Sequence, residues 1–248
     1  MGRYDGTVGV ACIPESGSTF SLGTTTVRCS ARDAAGNEAQ AWFTVTVVDT
    51  TPPVVTVPAS IARGPTQYDG TPVDFTVSAY DLVDGAITEI ACTWSSGSLF
   101  PVGTTTAVTC SATDGHGNEG SASFTVTIAG YTFIGFFQPI DNGAAVNAVK
   151  GGSTVPVKWK LLGEGGVELS SLGAVDLART GTYVVPCTSA GTDVPVELTT
   201  TGGTTLRYDL TAAQYIFNWQ TPRQPGACVR LEVAFTDHTT KTASFRLK

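Results

Sequence analysis

Histidine and methionine are almost missing from this chain, with two and one in 248 residues, and only 14% of the residues are charged. The scarcity excludes whole classes of chemistry. A serine triad needs a histidine set between nucleophile and carboxylate, and a zinc protease needs H-E-x-x-H on one helix face. Neither that motif nor G-x-S-x-G occurs, and His116 and His238 both fall in turn-like segments, D-G-H-G-N and D-H-T-T. The chain is therefore expected to be no enzyme and to need no cofactor for turnover. No Lys/Arg cluster is present to neutralise a phosphate backbone, so nucleic acid is not an expected partner. No run approaches the ~18 apolar residues of a membrane span. C-x-x-C spacing, N-x-[ST] acceptors and helical periodicity are also missing. Met1–Asp5 carry no apolar leader, and the chain ends at Lys248 on a strand-like segment without a sorting motif or hydrophobic tail. For a chain that uses disulfides, this implies a segment of a longer exported protein.

What is present is a repeat. Cys12 to Asn37 (CIPESGSTFSLGTTTVRCSARDAAGN) returns as Cys92 to Asn118 (CTWSSGSLFPVGTTTAVTCSATDGHGN), offset by 80 residues up to GTTT and by 81 after it. Repeats at a fixed period decide architecture before anything else does. The second copy has about 40 residues before its first cysteine from Asp49, whereas the first has eleven, so the first module begins in mid-fold. The six cysteines fall into three local pairs, Cys12/Cys29, Cys92/Cys110 and Cys187/Cys228. One pair per module in a Gly/Thr-rich chain argues for disulfides and an oxidising compartment. Zinc is the competing explanation, but it wants C-x-x-C or Cys/His spacing.

Net charge is −7 and uneven. Residues 1–48 carry three basic and four acidic groups, residues 49–129 one and eight, and residues 130–248 ten and nine. Alternation of period two marks half-buried strands. It runs through residues 24–32 (Val27, Cys29 and Ala31 inward) and 41–48 (Phe43, Val45, Val47). In the second repeat it covers residues 54–57, 73–79 (Phe75, Val77, Ala79), 87–93, 105–113 (Val108, Cys110, Ala112) and 121–128 (Phe124, Val126, Ile128). In the last third Val155, Val157, Trp159 and Leu161 alternate, as do Leu206, Tyr208 and Leu210, while Tyr215, Phe217 and Trp219 share a face. A closing hairpin runs from Val229, Leu231, Val233 and Phe235 through 237–240 to Ala243, Phe245 and Leu247. Short strands at this spacing with Gly-rich turns predict an all-β chain of tandem β-sandwiches. The expected modules are 1–48, 49–129 and 130–248.

The spacing of cysteines, SGS, GTTT and D-x-x-G-N over residues 49–129, after D-T-T-P-P-V-V-T, resembles a hyalin repeat (HYR) domain. Residues 6–48 resemble the second half of another, with Trp94 a departure where the first copy has Pro14. The resemblance implies immunoglobulin-like sandwiches, bridged cysteines and an extracellular adhesion role. Pro156-Val157-Lys158-Trp159, after Gly135–Asn142 and before Gln214–Trp219, resembles the bacterial PxKF domain, with Trp in place of its Phe. That implies a secreted or surface-displayed bacterial protein.

Two binding chemistries remain. Asp49, Asp81, Asp84 and Asp114 could supply hard oxygen ligands for Ca²⁺. The ordered D-x-D-x-D-G loop is absent, however, and the same residues suit turn capping. Because Ala35 fills the place of His116 in the first copy, His116 is expected to be a solvated turn residue. Trp94, Tyr131, Phe136, Phe137 and Trp159 are candidates for stacking on sugars. Trp159 alternates with Lys158 and Lys160 and so belongs in a core, and one of Phe136 and Phe137 should point outward. The expected function is a non-catalytic adhesion or spacer segment of a bacterial surface or secreted protein, with a protein or glycan partner. The alternative is an ancillary, carbohydrate-binding module of a larger secreted hydrolase.

Overall fold

The computed structural model describes residues 6–187, 194–196, 199–200 and 206–248, so Met1–Asp5, where the leader was sought, lie outside the described residues. The chain is all-β apart from two short 3-10 turns among the described residues, and no described helix is long and apolar enough to cross a membrane. The described strands pair into six sheets. The chain packs as two compact units: residues Met1–Val55, Ser78–Ile90 and Ala112–Gly120 in one, and Thr56–Val77, Ala91–Ser111 and Ser121–Lys248 in the other.

In the first unit, strands Val10–Ile13, Gly23–Arg32 and Glu38–Val47 form an antiparallel sheet. Cys12 sits directly opposite Cys29, and the two sulfurs are bonded. Val27 is buried, but Cys29 and Ala31 are only half-buried and Phe43 is 53% exposed. In the second repeat the matching Cys110, Ala112 and Phe124 are buried, Phe124 to 5%. Strands Val54–Thr56, Ser78–Asp81 and Gly85–Ile87 make the other sheet of this unit.

In the second unit, Ile61–Arg63 runs parallel to Glu119–Ile128, which neighbours Thr104–Thr113, and that strand neighbours Ile90–Cys92. Cys92 is bonded to Cys110. Phe75 packs edge-on against Phe124 at 5.0 Å. The alternation expected over 73–79 holds in burial, with Val73 and Ala79 inside, but only Ser78–Asp81 pairs as a strand.

Residues 132–247 supply two larger sheets. One holds Thr132–Phe137, Thr154–Leu162, Gln214–Gln220, Leu206–Asp209, Glu168–Leu169 and Thr199–Thr200. The other holds Val146–Val149, Thr240–Leu247, Cys228–Ala234, Gly181–Val185 and Val194–Val196. Their facing positions are the ones the alternation marks. Trp159, Tyr215, Trp219, Val229, Leu231, Val233 and Phe235 are all at 0% exposure, with Trp159 stacked on Tyr215 at 5.5 Å. Cys187 is bonded to Cys228. Leu210 breaks the expected pattern at 85% exposure, because the Asp209 carboxylate accepts the amides of Thr211 and Ala212 and turns the chain there. Register shifts between Ile134 and Phe137, and Phe136 is buried while Phe137 is half-buried. A bulge adds a residue and cancels strict alternation.

The 64–69 segment is tied to the last sandwich within this unit. The Glu164 amide donates to the Pro65 carbonyl at 2.8 Å. A side chain at Gly163 would put a Cβ 2.1 Å from that same oxygen, so no larger residue fits. The Tyr131 amide donates to Asp237 Oδ2 at 2.7 Å; its hydroxyl donates to the Tyr68 carbonyl and lies 2.7 Å from Thr236 Oγ1. Burial pushes the Tyr131 phenol up to about 12. The folded state thus holds that proton more tightly than the unfolded chain, whose tyrosines titrate near 10. Stability from this group is intact below about pH 10 and lost as pH rises through about 12, by up to roughly 2–3 kcal/mol. Tyr131→Phe is expected to flatten part of the fall in melting temperature between those values, read by thermal unfolding at each pH.

Candidate cation site

The turns of the first unit gather the acidic residues that the sequence scatters. The tight turn after the Ser78–Asp81 strand forms because Asp81 Oδ1 accepts the amides of Val83 at 2.7 Å and Asp84 at 3.0 Å. The Asp114–Asn118 turn forms the same way: Asp114 Oδ1 accepts the amides of His116 and Asn118, each at 2.8 Å, and Oδ2 accepts Asn118 Nδ2 at 2.8 Å. Asn118 Nδ2 also reaches the Asp49 carbonyl at 3.3 Å. Asp49 Oδ1 accepts the Thr51 amide at 3.0 Å, ahead of the stiff Pro52-Pro53 pair. Asp84 Oδ2 accepts the Gly115 amide at 3.2 Å.

These residues do cap turns, as their type suggests, but capping uses only part of each carboxylate. The second oxygens of Asp49 and Asp81 are buried and have no hydrogen-bond partner, and the Asp81 residue is 1% exposed. One carboxylate oxygen from each of Asp49, Asp81, Asp84 and Asp114 lies within 4.8 Å of the others. Two full charges at that separation repel by roughly 3–4 kcal/mol at an effective dielectric of 20. A buried carboxylate oxygen with no donor is costly as well. Four aspartates in this arrangement call for a compensating positive charge.

His116 supplies some of it when protonated. Its Nδ1 is 3.1 Å from Asp84 Oδ2 and 3.6 Å from Asp49 Oδ2, and the side chain is 37% exposed. It is the exposed turn residue expected from Ala35, with a contact to the cluster that the comparison does not show. The hydrogen bond to Asp84 raises its pKa against partial burial, helped by the charges of Asp84, Asp49 and Asp114. At Asp114 burial pushes the pKa up, but the hydrogen bonds from Asn118 outweigh it and the net shift is downward. The matching turn of the first repeat, Asp33 to Asn37, keeps the same bonds, Asn37 N and Nδ2 to the Asp33 carboxylate at 2.8 and 2.7 Å. No group of three or more metal-capable side chains forms around it among the described residues.

All-oxygen, acidic and partly buried, the set suits a hard divalent cation such as Ca²⁺, which takes carboxylate and carbonyl oxygens. The sugar-stacking candidates fare differently. Tyr131, Phe136 and Trp159 are buried. Phe137 is half-buried, as is Trp94, which stacks on Phe100 at 5.0 Å. The exposed indole is Trp42, at 72%, which strand alternation alone did not single out. Its signal was the repeat alignment, where Trp42 stands opposite Ser123.

The family model for the HYR domain matches residues 4–47 and 48–128. Among curated proteins, a hyalin from Lytechinus variegatus is 30% identical over 237 residues, covering 93% of this chain and 40% of the relative. A hyalin from Strongylocentrotus purpuratus is 41% identical over 122 residues, covering 46% of this chain and 10% of the relative. The chain thus spans less than half the length of either. Among solved structures, the eight N-terminal Ig domains of Down Syndrome Cell Adhesion Molecule match 90% of this chain and 28% of that one, with 11% identity and a TM-score of 0.32. Protocadherin Gamma B2 extracellular cadherin domains 3-6 match 97% and 68%, with 13% identity and a TM-score of 0.28.

Proposed function

This chain belongs to the HYR domain family, and from that premise we propose that it is a non-catalytic, extracellular adhesion segment whose turns are stiffened by a bound divalent cation. The observation that carries the cation is the pair of buried carboxylate oxygens on Asp49 and Asp81 that accept no hydrogen bond, within a four-aspartate cluster. Asp49, Asp81, Asp84 and Asp114 would hold the ion, which supplies the missing positive charge. Asp49 opens the Asp49–Pro53 stretch, so the ion fastens that stretch to the 81–84 and 114–118 turns of the same unit. Three disulfides suit an oxidising, extracellular setting. The PxKF-like segments at Gly135–Asn142, Pro156–Trp159 and Gln214–Trp219 support a secreted or surface-displayed bacterial protein.

Amide hydrogen exchange tests the cation directly. Millimolar Ca²⁺ should slow exchange at Thr51, at 81–84 and at 114–118 by about tenfold or more against chelator, since local opening must release the ion. The 33–37 turn should not respond. Equal rates in Ca²⁺ and chelator at all of these amides would remove the site.

A further inference from the structure

The two repeats carry different chemistry on the outward face of the same sheet. In the second repeat the row Thr93, Thr109, Ser123 satisfies itself. The Thr109 amide donates to Thr93 Oγ1 at 3.1 Å, and Thr109 Oγ1 lies 2.9 Å from Ser123 Oγ. All three residues face solvent. In the first repeat the equivalent positions are Ile13, Arg28 and Trp42, one cross-strand row by register. Ile13 is 76% exposed and Trp42 72%. The Arg28 side chain makes no ion pair or hydrogen bond among the described residues. The same face is open in the second repeat.

We propose that the Ile13–Arg28–Trp42 row binds an acidic saccharide, a pyranose bearing a carboxylate or a sulfate. The row lines an open depression together with Pro14, Thr26 and Gln40. An exposed indole offers an electron-rich face on which the C–H face of a sugar ring stacks. An unpaired guanidinium takes the two oxygens of a carboxylate or sulfate in a fork. Thr26, Ser30 and Thr44 line the same depression with polar groups, and so does Glu38, whose carboxylate accepts Gln40 Nε2 at 2.8 Å. Here a free cation sits in the middle of the row, between Ile13 and Trp42. The inference goes beyond the cation-stiffened segment and uses none of its residues, so either can fail alone.

The test uses the whole chain and three probes by isothermal titration: an unsulfated oligogalacturonate, a heparin-derived hexasaccharide and neutral maltohexaose. One or both charged probes should bind, maltohexaose should not, and the charged probe that binds distinguishes carboxylate from sulfate as the anion. Trp42→Ala and Arg28→Gln should each weaken binding by about tenfold or more; Arg28→Lys should retain part of it. Both positions are exposed, so melting temperatures should stay at the parent value, which separates lost binding from lost folding. Failure of both charged probes to bind, equal binding of maltohexaose, or binding untouched by the two variants would each overturn the proposal. So would a protein ligand whose binding depends on Trp42 while the saccharides are inert.

Discussion

Replacing Asp49 and Asp81 together by asparagine is expected to abolish the rise in melting temperature that Ca²⁺ produces in the parent chain. Asparagine keeps the shape and one acceptor oxygen, so the Thr51, Val83 and Asp84 amides retain a partner, while two charges leave the cluster. At a free ion concentration a hundredfold above Kd, one site adds about 2.7 kcal/mol to the parent. At about 4–8 °C per kcal/mol for a domain of this size, that is a rise on the order of 10 °C. The sign reverses without the ion. In chelator the double variant should melt above the parent, because mutual repulsion among the aspartates and the cost of two donorless buried oxygens are relieved. Asp33→Asn, in the turn of the first repeat that has no cluster, should leave the Ca²⁺ response at the parent value. Thermal unfolding of the three chains in millimolar Ca²⁺ and in chelator gives the answer. A parent that melts identically in both buffers has no such ion.

Trp219→Ala should be among the most damaging single changes in the last sandwich. The residue is at 0% exposure and packs at 4.7 Å against Phe245, and its Nε1 donates to Thr182 Oγ1 at 3.0 Å. Truncating a buried tryptophan costs about 3–5 kcal/mol through lost burial and the cavity left behind. The Thr182 hydroxyl, itself 1% exposed, would lose its partner at a further cost of about 1–3 kcal/mol. Against a typical total of about 5–15 kcal/mol, the variant should sit at the edge of folding. Trp159 gives the contrast. It is equally buried, but its Nε1 has no hydrogen-bond partner. Trp159→Phe therefore deletes an unsatisfied donor as well as volume, and should cost clearly less than Trp219→Phe. Denaturant midpoints of the two phenylalanine variants decide; equal losses would mean that the Thr182 bond contributes little.

The strands were legible because their pattern is local. Val229 to Phe235 and Ala243 to Leu247 alternate without interruption, and each inward residue is where period two puts it. Local pattern fails where one polar side chain redirects the backbone, as Asp209 does before Leu210, or where a bulge inserts a residue, as it does before Phe137. The aspartate cluster was legible only as a set of residue types. Its members come from three separated segments, at 49, 81–84 and 114, and no linear spacing rule describes ligands that meet only once three turns have folded. His116 is the exposed turn residue its type suggests, but its contact with the cluster was hidden for the same reason. Its partners, Asp84 and Asp49, are more than thirty residues away, and comparison with Ala35 says what the turn tolerates rather than what the ring touches. Trp42 could have been found earlier, by asking which outward positions differ between two otherwise parallel copies.

The disulfides have a consequence for a molecule held between two surfaces. The Cys187–Cys228 bond joins residues 41 positions apart. At ~3.4 Å per extended residue, it withholds on the order of 130 Å of contour from any pulling force, even after the sheets around it have given way. Cys12–Cys29 and Cys92–Cys110 do the same on a smaller scale across loops of 17 and 18. Under load the chain would lengthen in short, covalently limited steps, and reducing agent would show as a longer tether.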